Sequence, residues 1–475
     1  MIRSARKRMS VLPVLVWLAC ACSQQPEPRP QSILVVDTDA WLVSHLVDHP
    51  EVSSDAAIDT LRVDAIDGQG HVFEVRQFTL PDTRDWPISF GVTGAVRFRL
   101  RVFRARFADV EMVRDQSVLL PPPEVTIDRL VDIAAARGGI ETWSVVLRMD
   151  CLGRPVSFLQ PATTCVDASR TLAAPADGLA AVASATRVQT RSGTWDGARE
   201  MPCAVDGTPD RPCIAGGFTI LGDARLSGLS AWSWVDSVPF RPVLVSPFLM
   251  DRTEFTVGRF RALVEAGRWS GAPLPQQHSA DGQEAFCTWL GQLDGTNDDL
   301  PLNCVSIETS MQACALDGGT VPTEAQWEHA ARGRGQRRSY AWGDQDPICC
   351  AVSLSRKRDA STVSQCGGIG IEPVGSHPRS ESCLGLGDES RDGLMDLSGG
   401  LAELVRDKFR SYAHACWSWQ GIGTDPECND DTASLRVSRG GSWDSGLAMA
   451  LTALRAGFSP GMTTGFRCTY PGAHR

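Results

Sequence analysis

Cysteine is the residue with the most chemistry to offer in this chain, at 16 of 475 positions. Two of them, Cys20 and Cys22, close an N-terminal apolar stretch, and the other fourteen are spread from Cys151 to Cys468. No CxxC…CxxC spacing occurs among them, so a zinc site is not indicated, and an even count in an exported protein reads as disulfides. Cys151/Cys165 and Cys203/Cys213 each bracket a short loop and are candidate local pairs; the pairing of the remaining ten stays open. His278, His329, His377 and His414 are scattered without HExxH or HxH spacing, so metal-assisted hydrolysis is not indicated either. Ser442 follows two glycines, a setting that admits a nucleophile or a plain turn. The formal net charge of −10 argues against nucleic acid, whose phosphates need clustered Lys and Arg.

The N-terminus sets the compartment. Arg3, Arg6, Lys7 and Arg8 precede an apolar run from Val11 to Ala19, too short to span a bilayer and suited to a signal peptide. Leu18-Ala19-Cys20-Ala21-Cys22-Ser23 resembles a bacterial lipobox. Cys22 is the expected acylated residue, with Cys20 as the alternative and a plain secretory signal as the other reading. Residues 1–22 are then the leader and 23–32 a tether. Ser23, in place of an Asp, implies the outer membrane by the same resemblance, so the expected location is extracytoplasmic and lipid-anchored.

Two bodies follow. Residues 33–170 read as a β-rich, sandwich-like domain: Val96 to Val102 alternates apolar with Arg97, Arg99 and Arg101, as a half-buried strand does. Val72 to Phe78 and Trp143 to Met149 read as further strands. The Arg row suits a solvated face, or an anionic surface as the alternative. Residues 171–199, rich in Ala, Gly, Ser and Thr, read as a linker. From 200 to 475 the texture is loop-rich α+β with two marked helices. Thr256 caps the first, which carries Phe260, Leu263 and Val264 and ends near Gly267. Thr323 and Gln326 make a capping box for the second, over 324–332, stopped by Gly333.

This second body carries a resemblance. Ile214-Ala-Gly-Gly-Phe-Thr-Ile-Leu-Gly-Asp223, the stretch from Val245 to Thr256, Val321-Pro-Thr-Glu-Ala-Gln-Trp-Glu-His-Ala-Ala-Arg-Gly333, Ala341-Trp-Gly-Asp344, Arg439-Gly-Gly-Ser-Trp443 and Gly465-Phe-Arg-Cys468 are similar, in order, to blocks of the formylglycine-generating (sulfatase-modifying factor) family. The resemblance implies a C-type-lectin-like α+β fold with long loops and buried tryptophans. Trp342, Trp417 and Trp419 are read as core, with a sugar-stacking groove as the alternative.

Enzymes of that family oxidise a cysteine of a client sulfatase to formylglycine, using two cysteines five residues apart between the Gly-Gly-Ser turn and the closing block. The chemistry needs thiols, because soft Cu(I) prefers thiolate and only a thiol exchanges with a thiol. From Trp443 to Arg467 this chain has none. Aligning Ala453-Leu454-Arg455 on the family's Ala-Ala-Arg puts Leu447 and Thr452 in the cysteine positions, so no catalytic residue is expected. The family's Gly-Asn-Val-Trp-Glu-Trp calcium block reads Gly399-Gly-Leu-Ala-Glu-Leu404 here. Only Glu403 is kept, read as a salt-bridged loop residue, with a weakened calcium site as the alternative; otherwise no cofactor is expected. The function implied is a non-catalytic, membrane-anchored lipoprotein binding a protein or glycan at the cell surface. The alternatives are a sulfatase-modifying oxidoreductase, with thiols such as Cys416 or Cys428, and a structural component of an envelope assembly.

Overall fold

The computed structural model describes residues 30–113, 116–183, 188–224, 226, 237–270, 273–275, 285–291, 293–358, 365–458 and 460–472. The leader with Cys20 and Cys22, most of the tether and His278 lie outside the described residues.

Strands β1 (Gln31–Thr38), β2 (Thr60–Ile66), β3 (Val72–Thr79), β4 (Ile88–Val92), β5 (Val96–Phe103), β6 (Ile127–Ile133), β7 (Ile140–Leu147) and β8 (Ala180–Val182) form two four-stranded sheets, ordered β8-β7-β1-β4 and β6-β5-β2-β3. Only the β1–β7 pair is parallel within them. Leu34, Val36, Val145 and Leu147 of one sheet share a core with Leu61, Val63, Leu100, Val102 and Val131 of the other. This is the sandwich that alternation along β5 implies.

The arginines along one face of β5 are committed to carboxylates, with Arg101 buried and Arg97 and Arg99 partly exposed. Arg97 pairs with Asp132 directly opposite on β6, Arg99 with Asp128 one step along it, and Arg101 with Asp64 of β2. A hairpin of Asp109–Val113 and Gln116–Leu120 covers this face, with Glu111 and the Leu119 carbonyl taking Arg62. Period-two alternation reports that a face is polar, not that it meets water.

The stretch expected as a linker is built into the first body. Its strand β8 pairs with β7, Thr190 and Arg191 bond the buried Asp37, and the Trp195 carbonyl accepts from the Trp41 indole at 2.8 Å. Small, weakly patterned residues lie along a sheet edge as readily as in a tether, and two of the residues that fix them, Asp37 and Trp41, lie at the other end of the body's sequence. The two bodies also share a core. Phe218, Ile220 and Phe240 belong to the sandwich's apolar cluster, and Phe240 meets Phe107 edge-on at 5.2 Å. Asp55 accepts from the Ile220 amide at 3.0 Å and pairs with Arg106 at 2.7 Å.

The second body is α+β. Strands β9 (Gly217–Leu221) and β10 (Arg241–Val245) form an antiparallel pair. Helices α1 (Val257–Glu265), α2 (Ile307–Leu316) and α3 (Glu324–Ala331) follow, then β11 (Ala402–Lys408), β12 (Arg436–Arg439), β13 (Arg455–Phe458) and β14 (Thr464–Gly465) in a sheet ordered β13-β12-β11-β14. Thr256 caps α1 through the Arg259 amide, and Thr323 and Gln326 close a reciprocal capping box on α3. Gly267 and Gly333 take the left-handed conformation that ends each helix. Helix α2, capped by Ser306, has no counterpart in the sequence reading; its run of small residues carries no clear stripe. Seven disulfides join Cys151–Cys165, Cys203–Cys213, Cys287–Cys304, Cys314–Cys468, Cys349–Cys366, Cys350–Cys383 and Cys416–Cys428.

Candidate functional site

The site region is organised by helix α3, which is buried on nearly every side. Glu324 receives Arg455 through two hydrogen bonds, at 2.7 and 2.6 Å, and Arg439 at 3.1 Å. One turn on, Glu328 receives Arg439, Arg332 at 2.9 Å and the Gly222 amide at 2.9 Å. All five side chains are within 1 % of full burial. Burial opposes the charge on Glu328, but Arg439 and Arg332 override it and hold its carboxyl below its ordinary range. Between the two glutamates, Trp327 donates its indole N–H to Glu403 at 2.9 Å. Glu403 is in turn gripped by Arg467 at 2.9 and 2.8 Å. The motif residues around 321–333, 439–443 and 465–468 are thus partners in one buried structure.

The positions expected to replace catalytic cysteines stand inside that structure. Thr452 is fully buried; its hydroxyl donates to the Arg338 carbonyl at 2.7 Å, and its own carbonyl accepts from Arg439 at 2.8 Å. Leu447 opens a single turn, Leu447–Ala450, and packs on the cluster of Tyr340, Trp342 and Leu354. The groove beside them has a volume of about 360 Å³ and is lined instead by Met449, Leu454 and Met462 together with Ser442, Ser445, Asp444 and Arg358. Ser442 donates to Asp444 at 2.8 Å, and its amide bonds Ser445 at 3.1 Å, which closes the turn. Gly440 and Gly441 are left-handed, and a Cβ at 440 would lie 2.6 Å from the Leu397 carbonyl. No imidazole lines the groove among the described residues, and the one carboxylate beside Ser442, Asp444, is paired with Arg358. Every cysteine among the described residues is in a disulfide, so none of them supplies a thiol.

This arrangement has known relatives. The profile of the sulfatase-modifying factor enzyme 1-like domain matches residues 200–470, more than half of the chain. The chain belongs to that family. It is similar to a hercynine oxygenase of Mycolicibacterium thermoresistibile, 27% identical over 46% of this chain and 48% of that one. It thus spans about half the length of that relative. A formylglycine-generating enzyme of Streptomyces coelicolor is 27% identical over 54% of this chain and 87% of its own. An inactive Cα-formylglycine-generating enzyme 2 of Mus musculus is 28% identical over 36% and 49%. The sulfatase-modifying factor domain therefore has relatives named as active enzymes and as inactive ones.

Other candidate positions of this domain are occupied by structural contacts. Both Glu403 oxygens serve Arg467 and Trp327, which leaves no free carboxylate oxygen there for a calcium ion. Gly400 is left-handed, and the space a Cβ would take lies 2.7 Å from Glu254, which accepts the Leu401 amide. His414, Cys416 and Cys428 bring three possible ligand atoms within 4.8 Å, but the Cys416–Cys428 disulfide consumes both sulfurs. His329 is buried against the Ala215 carbonyl, and burial lowers its pKa to about 4, so it is neutral. Trp342 stacks on Tyr340 at 5.0 Å, Trp417 is fully buried and Trp419 leans on it at 5.7 Å; none of the three lines the groove.

The feature that sequence reasoning missed is the set of buried acids. Asp407 accepts the amides of Glu324 at 2.6 Å and Cys428 at 2.8 Å, and burial, then the Glu324 charge, push it up to about 7. Asp388 is pushed up to about 7 by burial and then Asp396. His377 faces two acceptors, the Cys350 carbonyl at 3.0 Å and Glu372 at 2.9 Å; burial opposes its charge, but these bonds outweigh it and raise the pKa. In all three, the folded chain holds a proton more tightly than the unfolded chain. Their contribution is full below the unfolded pKa values and is lost as pH rises through the folded ones. Above about pH 6.5, where the lowered pKa of His329 no longer opposes them, the melting temperature should therefore fall as pH rises to about 8. Asp407→Asn, which keeps one acceptor oxygen, should make that fall smaller. A fall of unchanged size in the variant would remove Asp407 from the account.

Proposed function

We propose that this chain is an exported, lipid-anchored protein whose sulfatase-modifying factor domain binds a protein or glycan at the cell surface and does not generate formylglycine. One observation carries the reading: the groove beside the Gly-Gly-Ser turn holds no thiol, and the cysteines around it are locked in pairs. Without a thiolate there is no ligand for Cu(I) and no mixed disulfide with a substrate cysteine. What remains is a cleft whose lining mixes serine hydroxyls and the Arg358–Asp444 pair with methionine and leucine side chains. Such a mixed lining suits recognition, with polar groups fixing orientation and apolar ones supplying contact area.

The test is direct. Purified protein, incubated with copper and a Cys-x-Pro-x-Arg peptide, should leave the peptide mass unchanged, while a competent formylglycine-generating enzyme lowers it. Conversion above a metal-only control would overturn the non-catalytic reading.

The anchor has its own check. Cells fed a labelled fatty acid should incorporate it into the full chain, and Cys22→Ala should abolish both label and membrane association. Labelling that survives Cys22→Ala but not Cys20→Ala would move the anchor to Cys20; no labelling in any form would leave a plain secretory leader.

A further inference from the structure

The two ends of the sandwich face different surroundings. At one end β2 begins and β5 finishes, Thr60 against Phe103. The segments flanking them carry Asp55 and Phe107, which meet Ile220 and Phe240 of the second body. The opposite end gathers the start of β1 and the turns β2–β3, β4–β5 and β6–β7. There Gln31 stands against Ile140 and Ser32 against Val92, and the Ser32 hydroxyl donates to the Ala134 carbonyl. The 158–160 loop reaches the same end, since Phe158 and Gln160 share a cavity of about 970 Å³ with Asp67, Ala95 and Ile133.

This second end is apolar at its tips and carries little charge. Leu159, Ile140 and Phe158 are 80%, 48% and 43% exposed. The turns at 67–71, 93–95 and 134–139 consist largely of glycine and alanine, and with the 158–161 loop they hold three ionisable residues, Asp67, His71 and Arg137. Asp67 accepts the Gln69 and His71 amides of its own turn, each at 2.9 Å. Arg97 and Asp132, on the strands just behind, neutralise each other. Small residues let a broad surface approach closely, and exposed leucine, isoleucine and phenylalanine beside them gain by leaving water.

The length of the tether decides what faces this end. Eight residues, 23–30, separate Cys22 from β1, and fully extended they span at most about 30 Å. On the reading that Cys22 carries lipid, on which this inference rests, a bilayer lies within that distance of Gln31, while the second body adjoins the other end. So short a link makes contact with the bilayer effectively intramolecular, and a weak apolar contact is then enough to be populated.

We propose that the Gln31 end of the sandwich is a lipid-docking surface, on which Leu159, Phe158 and Ile140 enter the headgroup boundary and hold the second body away from the membrane.

Hydrogen exchange tests this. The chain from Ser23 onward, with an N-terminal histidine tag, is captured on phosphatidylethanolamine–phosphatidylglycerol vesicles doped with a nickel-chelating lipid, and compared with the same protein on chelating beads. Exchange within residues 67–71, 134–140 and 157–161 should slow about threefold or more on vesicles. The 381–387 loop of the second body, whose Leu384 is 81% exposed, should exchange equally on both supports. Leu159→Asp combined with Ile140→Asp should remove the slowing; both side chains are exposed, and an unchanged thermal melt will show that the variant folds. Equal exchange on vesicles and beads, slowing that survives the double variant, or slowing confined to the hairpin with exposed Val110 and Met112 would overturn the proposal. The chelating lipid stands in for the acyl chain, so failure here would strike the docking surface alone, and the fatty-acid label would still decide the anchor.

Discussion

Two glutamates one turn apart on a buried helix set the terms for the second body of this protein. Glu324 and Glu328 sit where water cannot solvate them, so their charge is tolerable only with guanidinium groups held against them. Arg332 comes from the helix itself, Arg439 from β12 and Arg455 from β13, so the requirement reaches across the whole domain. Removing one partner from such a set typically costs about 3–5 kcal/mol, a large share of a domain's stability. The second pair, Glu403 with Arg467, repeats the device between β11 and the C-terminal segment. Loops that carry little regular structure are thereby pinned at points far apart in sequence.

The same constraint shows what holds this fold in place without any thiol at the Leu447 and Thr452 positions. The ion network and the groove meet at Arg439, which pairs with both glutamates and lines the groove. Thr452 is committed to the network through its carbonyl, and its hydroxyl is used within the protein, while Leu447 serves an apolar cluster. A cysteine at either position would be a chemical addition to a scaffold that already stands. The disulfides add cross-links of their own: Cys314–Cys468 ties helix α2 to a residue 154 positions on. Closing so long a loop restricts the unfolded chain, a stabilisation independent of any active site.

The legible parts were those written locally. Capping residues and glycine stops located α1 and α3, and alternation located β3, β5 and β7, because each depends on neighbours a few residues away. The family motifs located the fold of residues 200–470. Long-range partners were not legible. Nothing near Arg97, Arg99 and Arg101 announces Asp132, Asp128 and Asp64, and nothing in the Ala- and Ser-rich stretch announces Asp37 or Trp41 as its anchors. The buried acids were invisible for the same reason, although charges four residues apart on the face that carries Trp327 were a signal for Glu324 and Glu328. The absence of thiols in the groove, by contrast, was a matter of composition and could be read from the sequence alone.

The central claim is that no cysteine from Cys151 onward is available for thiol chemistry. Thiol titration of the protein unfolded in denaturant without reductant measures this directly, with peptide mapping to assign any signal. The account predicts no reactive thiol from Cys151 onward and seven disulfide-linked peptide pairs. Two stoichiometric free thiols, at Cys416 and Cys428 for example, would contradict it and return the domain to the catalytic members of its family.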